Sequence, residues 1–366
     1  MEARLFDAVT GVGIIAKLEQ KFKQLVGVRF AVAMSNCTSA LDAALLACGV
    51  KSGDEVIVPA FTWGGSISGI LQRKAIPVFA DIDETLTLDP DDAERRITHK
   101  TKAITAVHLF GNPCDMDKLS VICQKHGLAL IEDCAQAIGA KIQGRHVGTF
   151  GAGCFSFGYG KPLSAGEGGI LTTNDENIFD RVLYYSQHPL RQRKDMISLC
   201  EPNEFSVNYR LSPIAAKAVL EGFDDGIAAL EEKRKFFQSL QQKIAQSSID
   251  CLIPPVIRKR AGHSWYRFSI SIDSSVSEQT MNHIKIFLAE NGCQLESGYI
   301  PRPLYHHHAL TTYLCRRAAK NLKLVYLPKT ESACRIQAGV TRLLAFEYQM
   351  QTVGYERIEP ADLILC

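Results

Sequence analysis

The chain has 366 residues, 46% hydrophobic and 22% charged, with a formal net charge of +2: the composition of a globular protein with a sizeable core and room for two domains. The densest basic clusters, Arg191–Lys194 and Arg258–Arg260, are too short to form an electrostatic footprint for nucleic acid. No apolar run nears the roughly 20 residues that cross a bilayer, and the first residues, MEARLFDAVTG, lack a signal-peptide pattern, which predicts neither export by that route nor a membrane span.

Near the start, Gly11, Gly13 and Ala16 spell the G-x-G-x-x-A of dinucleotide sites, but no strand precedes them and that reading fails its structural condition. From there short apolar runs alternate with helical-period stretches, the βα alternation of a largely parallel or mixed α/β sheet. Strands are expected at Phe30–Met34, Glu55–Pro59, Pro77–Asp81, Ala103–Val107, Ala129–Glu132, Gly153–Phe157 and Gly169–Thr173. Helices are expected at Ser39–Cys48, Ser66–Arg73, Asp115–His126 and Asn177–Ser186, several preceded by Gly, Asp, Thr or Pro. Seven strands imply one large sheet domain. After about Asn208 comes a long helical stretch, Ser212–Ser247, then strand-like Ser264–Ile272 and helix-like Glu278–Asn291. The division is placed at residue 230: a large α/β domain over 1–230 and a smaller α+β domain over 231–366, packed closely because no Pro/Gly/Ser-rich linker separates them.

Four segments carry candidate chemistry. In RFAVAMSNCTSALDAALLACG, Ser35, Thr38 and Ser39 flank a helix N-terminus that favours a phosphate, with plain helix capping as the alternative. In PAFTWGG, Trp63 follows the carboxyl end of a strand, where an indole can stack on a flat heteroaromatic ring or simply pack in the core. In LALIEDCAQAIGA, Asp133 ends a strand run, where ligands bind in open α/β sheets; a helix cap is the other reading. In GAGCFSFGYGKPLSAGEGG, Lys161 sits among glycines after a strand, either as a desolvated nucleophile for Schiff-base chemistry or as a solvated turn lysine. A P-loop is ruled out, since Phe155 stands at its first glycine and Pro162 at its hydroxyl position. Twelve cysteines without a C-x-x-C pair or zinc-type spacing, and three adjacent histidines, His306–His308, that cannot converge on one ion, indicate neither a disulfide framework nor a metal site, which fits a reducing cytoplasm.

A Schiff-base lysine, an acid for a pyridine nitrogen, a phosphate cradle and a ring-stacking aromatic are together the requirements of pyridoxal 5′-phosphate. The order SNCTSAL, DEVIVPAFTW, FADID, VHLFG, IEDCAQAIGA, FSFGYGK, GEGG and NYRLS resembles the DegT/StrS (DegT/DnrJ/EryC1/StrS) family of pyridoxal-phosphate-dependent sugar aminotransferases. The resemblance covers nearly the whole chain and is tightest from Phe30 to Ser212. It implies the aspartate-aminotransferase-like fold type I: a large, mostly parallel seven-stranded sheet domain plus a smaller α+β C-terminal domain. It further implies that Lys161 bonds the cofactor, Asp133 pairs with its ring nitrogen, Trp63 stacks on the ring and Gln136 lies nearby. Thr38, Ser39 and Ser156 would bind the phosphate, and Asn208 of NYR would reach the phosphate in the neighbouring subunit of a homodimer with shared sites. Tyr159, Tyr305 and His306 are candidate substrate contacts. Cys37 stands where the family usually has Gly, residues Gly158–Gly160 differ from many members, and the amino terminus is expected to be short relative to the family's usual start. The expected function is transfer of an amino group from glutamate or glutamine to a keto sugar, expected to be nucleotide-linked, in amino-sugar biosynthesis. A keto-cyclitol acceptor and a non-catalytic relative kept as a scaffold are the alternatives, and a dehydratase of the same fold is disfavoured because Lys161 is retained.

Overall fold

A computed structural model of the chain describes residues 4, 6–192, 202–246, 252–272, 276–290, 295–297, 300, 303–304 and 342–346. Its strands in chain order are β1 (Phe30–Met34), β2 (Glu55–Pro59), β3 (Ile76–Ala80), β4 (Thr101–Val107), β5 (Ala129–Asp133), the short β6 (Lys141–Ile142) and β7 (Arg145–His146), β8 (Ala152–Ser156) and β9 (Gly169–Thr173). Seven of them form one sheet in the order β1-β9-β8-β5-β4-β2-β3. Only β9 runs against its neighbours, so the sheet is mostly parallel as expected, and the other six strands bring their carboxyl ends to one edge. Strands β2, β3 and β9 are buried along their whole length, which is why EVIVP, IPVFA and GILTT read as largely apolar runs without polar alternation.

Helices cover both faces: α1 (Asp7–Thr10), α2 (Gly13–Val26), α3 (Cys37–Ala47), α4 (Gly65–Gln72), α5 (Pro90–Arg95), α6 (Met116–His126), α7 (Glu176–Ser186), α8 (Pro213–Glu221) and α9 (Phe223–Gln246). One core joins α3, α4 and α7 to the sheet around Val32, Met34, Phe79 and Leu171. Another packs α2 and α8 on it around Phe22, Ile138, Phe155, Phe157 and Val219, with Phe22 edge-on to Phe155 at 5.0 Å and to Phe157 at 5.6 Å. Beyond α9, β10 (Leu252–Ile253), β11 (Ala261–Gly262), β12 (Phe268–Ile272), α10 (Glu278–Glu290), β13 (Leu295–Ser297) and β14 (Arg342–Phe346) follow. Four of these strands make a second sheet, β10-β12-β14-β13, while β11 pairs with β6 of the β6–β7 hairpin.

The departures from expectation have local causes. The Gly11/Gly13 pattern is a helix–helix turn: Gly11 ends α1, Asp7 accepts the Ile14 N–H at 3.0 Å, and a Cβ on Gly13 would stand 2.2 Å from that carboxylate. The stretch expected as one helix over Ser212–Ser247 breaks at Gly222 into α8 and α9. Leu230, at the expected domain division, lies within α9 and packs in the same core as Phe223. Of Ser264–Ile272 only Phe268–Ile272 is strand; before it, Trp265 turns the chain with φ of 56°.

Two buried histidines set an acid limit on stability. His146 accepts the Gly139 N–H at Nε2 (2.9 Å), with Nδ1 2.6 Å from Val147 O; burial above all, with Lys141 adding to it, holds this imidazole down to about 4. Burial, then Arg234 and Lys233, holds His263 down to about 3. The unfolded chain protonates both near pH 6.5 and the folded chain does not. Stability is therefore lost as pH falls through the window below about 6.5, by about 2 kcal/mol per histidine at pH 5. Urea unfolding at pH 7 and pH 5 measures this, and equal stability at the two pH values would contradict it.

Candidate functional site

The candidate residues gather where β1, β2, β5 and β8 end. α3 is capped by Asn36, whose Oδ1 accepts both the N–H and the hydroxyl of Ser39 at 2.7 Å, and Ser39 Oγ lies 2.7 Å from Ser35 Oγ. The capping alternative is thus partly realised, by Asn36, and it leaves the Ser35 and Ser39 hydroxyls side by side at the positive end of the helix dipole. β9 begins hard against this turn: a Cβ on Gly169 would fall 2.5 Å from the Asn36 carbonyl carbon and 2.7 Å from Cys37 N, so only glycine fits.

Thr38 and Trp63 meet at Gly65, where a Cβ would lie 3.5 Å from Thr38 Oγ1 and 3.3 Å from Trp63 Cδ1. Trp63 is 59% exposed, so core packing does not account for it. The same turn reaches the acid: Ser66 Oγ donates to Asp133 Oδ2 at 2.7 Å and lies 3.0 Å from Thr62 Oγ1.

Asp133 is the last residue of β5 and is buried. No helix follows it; its Oδ1 accepts the Ala135 N–H at 3.1 Å to close a turn. Burial pushes its carboxyl above the usual carboxylate range, opposed by the Ser66 hydroxyl, the Ala135 N–H and the charges of His108 and Lys161. A buried carboxylate that is poorly compensated suits a cationic partner.

Lys161 follows β8 and is half-buried, with its N–H donating to Gly158 O at 3.2 Å and its ammonium 4.0 Å from the centre of the Tyr266 ring. Its charge also acts on Asp133 and on the Cys37 thiol. It is therefore no solvated turn lysine. Cys37 donates to Cys154 O at 3.3 Å, and burial, then Asp133, pushes its thiol up, so it sits as a small buried group. Ser156, at the end of β8, accepts the Gly158 N–H at 3.1 Å.

Gln136 lies just past Asp133, its Oε1 accepting the N–H of Phe110, which has φ of 57°. Asn208 is exposed, on a loop tied to α3 by Ser35 N–H donating to Tyr209 O at 2.8 Å and by the Tyr209 hydroxyl donating to Asp42 at 2.8 Å. Tyr159 is 83% exposed beside Lys161. Tyr305 and His306 lie outside the described residues; Leu304, just before them, donates its N–H to Ala60 O at 2.8 Å.

Sequence reasoning missed Ser66 and Tyr266. TWGGS offered the first as a polar neighbour of Trp63, whereas nothing near Tyr266 in sequence marks it. It also missed Glu132, which points away from Asp133 and accepts the N–H groups of Gly148 (2.7 Å), Phe150 (2.8 Å) and Gly151 (3.0 Å). Glu132, His108 and Cys134 form a buried group of metal-ligand types, but Glu132 is engaged by these donors and by His108 Nε2 at 3.3 Å, while His108 Nδ1 accepts the Cys114 N–H at 3.1 Å. No described helix is long and apolar enough to cross a membrane.

The sequence pattern of the DegT/DnrJ/EryC1/StrS aminotransferase family matches residues 10–335. GDP-perosamine synthase of Vibrio cholerae is 34% identical over 333 residues, 87% of this chain and 86% of that protein. The L-glutamine:2-deoxy-scyllo-inosose aminotransferase of Streptomyces kanamyceticus is 48% identical over 168 residues, 45% of this chain and 39% of that protein. Among solved structures, S. venezuelae DesV in complex with a ketimine intermediate superposes with a TM-score of 0.75 at 25% identity, covering 92% of this chain and 84% of that one.

Proposed function

The chain belongs to the DegT/DnrJ/EryC1/StrS aminotransferase family, and from this we propose that it transfers an amino group from glutamate or glutamine to the keto group of a nucleotide-linked sugar, with pyridoxal 5′-phosphate as cofactor. The observation that carries the reading is the convergence of Lys161 and a buried, under-compensated Asp133 beside the Ser35/Ser39 hydroxyl pair. This donor set fits the cofactor: Asp133 for a protonated ring nitrogen, Trp63 for the ring face, Thr38, Ser39 and Ser156 for the phosphate, Lys161 for the covalent bond. When bound, the cofactor supplies an electron sink for the pair left when a proton leaves the donor's α-carbon.

The rest falls to the chain. Asp133, fixed by Ser66 and Ala135, holds the proton on the ring nitrogen. Lys161, once free, takes the proton from the donor's α-carbon and returns one on the other side of the transfer. Tyr159, two residues before it and exposed, would touch the acceptor, and Gln136, which accepts the Phe110 N–H, would lie near the cofactor.

A keto-cyclitol is the second acceptor reading, favoured by the 48% identity to the inosose enzyme. To separate the two, the protein with cofactor and glutamine is offered a GDP-linked keto sugar and a keto-inositol, and the amine is sought by mass spectrometry. Amination of the nucleotide sugar is expected; amination of the keto-inositol alone would replace the first reading with the second, and donor consumption without either product would refute both.

The working unit is a homodimer, in which a second copy covers the exposed Trp63, Tyr159 and Phe205 and each Asn208 serves the other subunit's phosphate site. Mixing and reassociating the inactive Lys161→Ala and Asn208→Ala variants then rebuilds one intact site per mixed dimer. Random pairing makes half the dimers mixed, so about a quarter of the wild-type activity is expected to return. Activity no greater than the sum of the two variants contradicts the shared site.

A further inference from the structure

Three positive groups surround one buried ring. The Lys161 ammonium stands 4.0 Å from the Tyr266 ring centre, the Arg267 guanidinium 5.6 Å and the Lys233 ammonium 6.0 Å, while Lys233 also donates to Tyr266 O at 2.9 Å. Tyr266 is 6% exposed, so water screens these contacts poorly.

The backbone goes to some trouble to put that ring there. Trp265, immediately before it, holds φ of 56°, a region that bulky residues avoid, and is fixed by its N–H donating to His263 Nδ1 at 2.8 Å and by stacking on that imidazole at 4.2 Å. Across from it, Phe110 has φ of 57°. The two strained turns are cross-bonded: Arg267 N–H donates to Phe110 O at 3.2 Å, Ser264 N–H to Gly111 O at 2.9 Å, and Gln136, next to Asp133, accepts the Phe110 N–H at 2.7 Å. Strain of this kind persists only where the surroundings over-determine it. Here it carries a residue of the C-terminal part to the reactive lysine of the sheet domain.

We propose that Tyr266 is a positioning residue for Lys161: its ring face receives the lysine ammonium whenever that amine is not bonded to cofactor, and so fixes where the proton is held and how readily it leaves. The ring favours the ammonium, whereas Lys233 and Arg267 beside the same ring disfavour a third charge, so the amine is held in place without being locked in its protonated form. Asp133 and the Cys37 thiol act on the lysine from β5 and α3 and add to its charged and titratable surroundings. The inference rests on Lys161 being the reactive amine.

The test uses the full chain with pyridoxal phosphate added across a pH series, trapping by borohydride, and peptide mass spectrometry of label at Lys161. Tyr266→Phe keeps the ring and should leave the pH midpoint of labelling unchanged. Tyr266→Leu removes it and should lower the midpoint by about one pH unit, because the ammonium loses its partner. Fluorinated phenylalanines at position 266 keep the shape while draining the ring of electron density, so they should lower the midpoint stepwise with fluorine number even where the leucine variant does not fold. A midpoint indifferent to fluorination, or one that rises in the leucine variant, overturns the inference. Wild-type protein that takes no label at Lys161 overturns the proposed function along with it, whereas normal wild-type labelling with unshifted variants overturns this inference alone.

Discussion

Replacing Lys161 by alanine is expected to lower turnover by about 10⁴-fold, the upper range for a positioned acid–base group, while stability changes by less than about 1 kcal/mol. The two effects separate because of where the residue sits. Its backbone N–H bond to Gly158 survives in alanine, and its half-buried side chain fills no core. What disappears is an amine whose charge acts on Asp133 across the site. Arginine at 161 should not rescue activity, since a guanidinium stays protonated and can neither bond a carbonyl nor accept the α-proton. Steady-state kinetics with glutamine and urea unfolding of the same samples check both halves; a variant retaining a tenth of the activity would remove Lys161 from the chemistry.

Glu132→Ala is expected to be the most damaging single change to the fold, costing roughly 4 kcal/mol, because it strands the buried Gly148 N–H, two part-buried backbone N–H groups and the buried His108 ring at once. Those N–H groups belong to Gly148, Phe150 and Gly151, the turn that feeds β8 and so aims the chain toward Ser156 and Lys161. Losing the carboxylate therefore loosens the approach to the lysine as well as the core. Glu132→Gln keeps one acceptor oxygen and should cost about half as much. Chemical unfolding measures the difference, and a loss below about 1 kcal/mol would mean that the turn finds other partners.

Much of this architecture was legible because buried parallel strands leave continuous apolar runs. VIVP and ALIE mark β2 and β5 to within a residue or two, and the polar residues at their carboxyl ends fall at the sheet edge where ligands bind. Asp133 could be singled out because it ends such a run, and Thr38, Ser39 and Lys161 because each lies within about five residues after one. The illegible parts depend on contacts distant in sequence. SWYRFSISI reads as strand-like along its length, yet its first residues bend because Phe110 and Gly111 claim its backbone and His263 stacks on Trp265. Tyr266 consequently reaches Lys161 with no local motif to announce it. Glu132 looked like any polar residue beside Asp133; its importance lies in three N–H groups of a turn that only folding brings near. The Gly222 break hid inside an otherwise helical composition, where glycine costs about 1 kcal/mol but forbids nothing.

The most direct test of the central claim is the absorbance spectrum of the purified chain with pyridoxal phosphate, recorded before and after glutamate or glutamine, with the 2-oxo acid assayed in parallel. A visible band of lysine-bound cofactor that fades with the donor, together with one 2-oxo acid formed per site, is the predicted result. A spectrum no different from free cofactor, with no change when either donor is added, would contradict the account of Lys161 and Asp133 as a working transamination site.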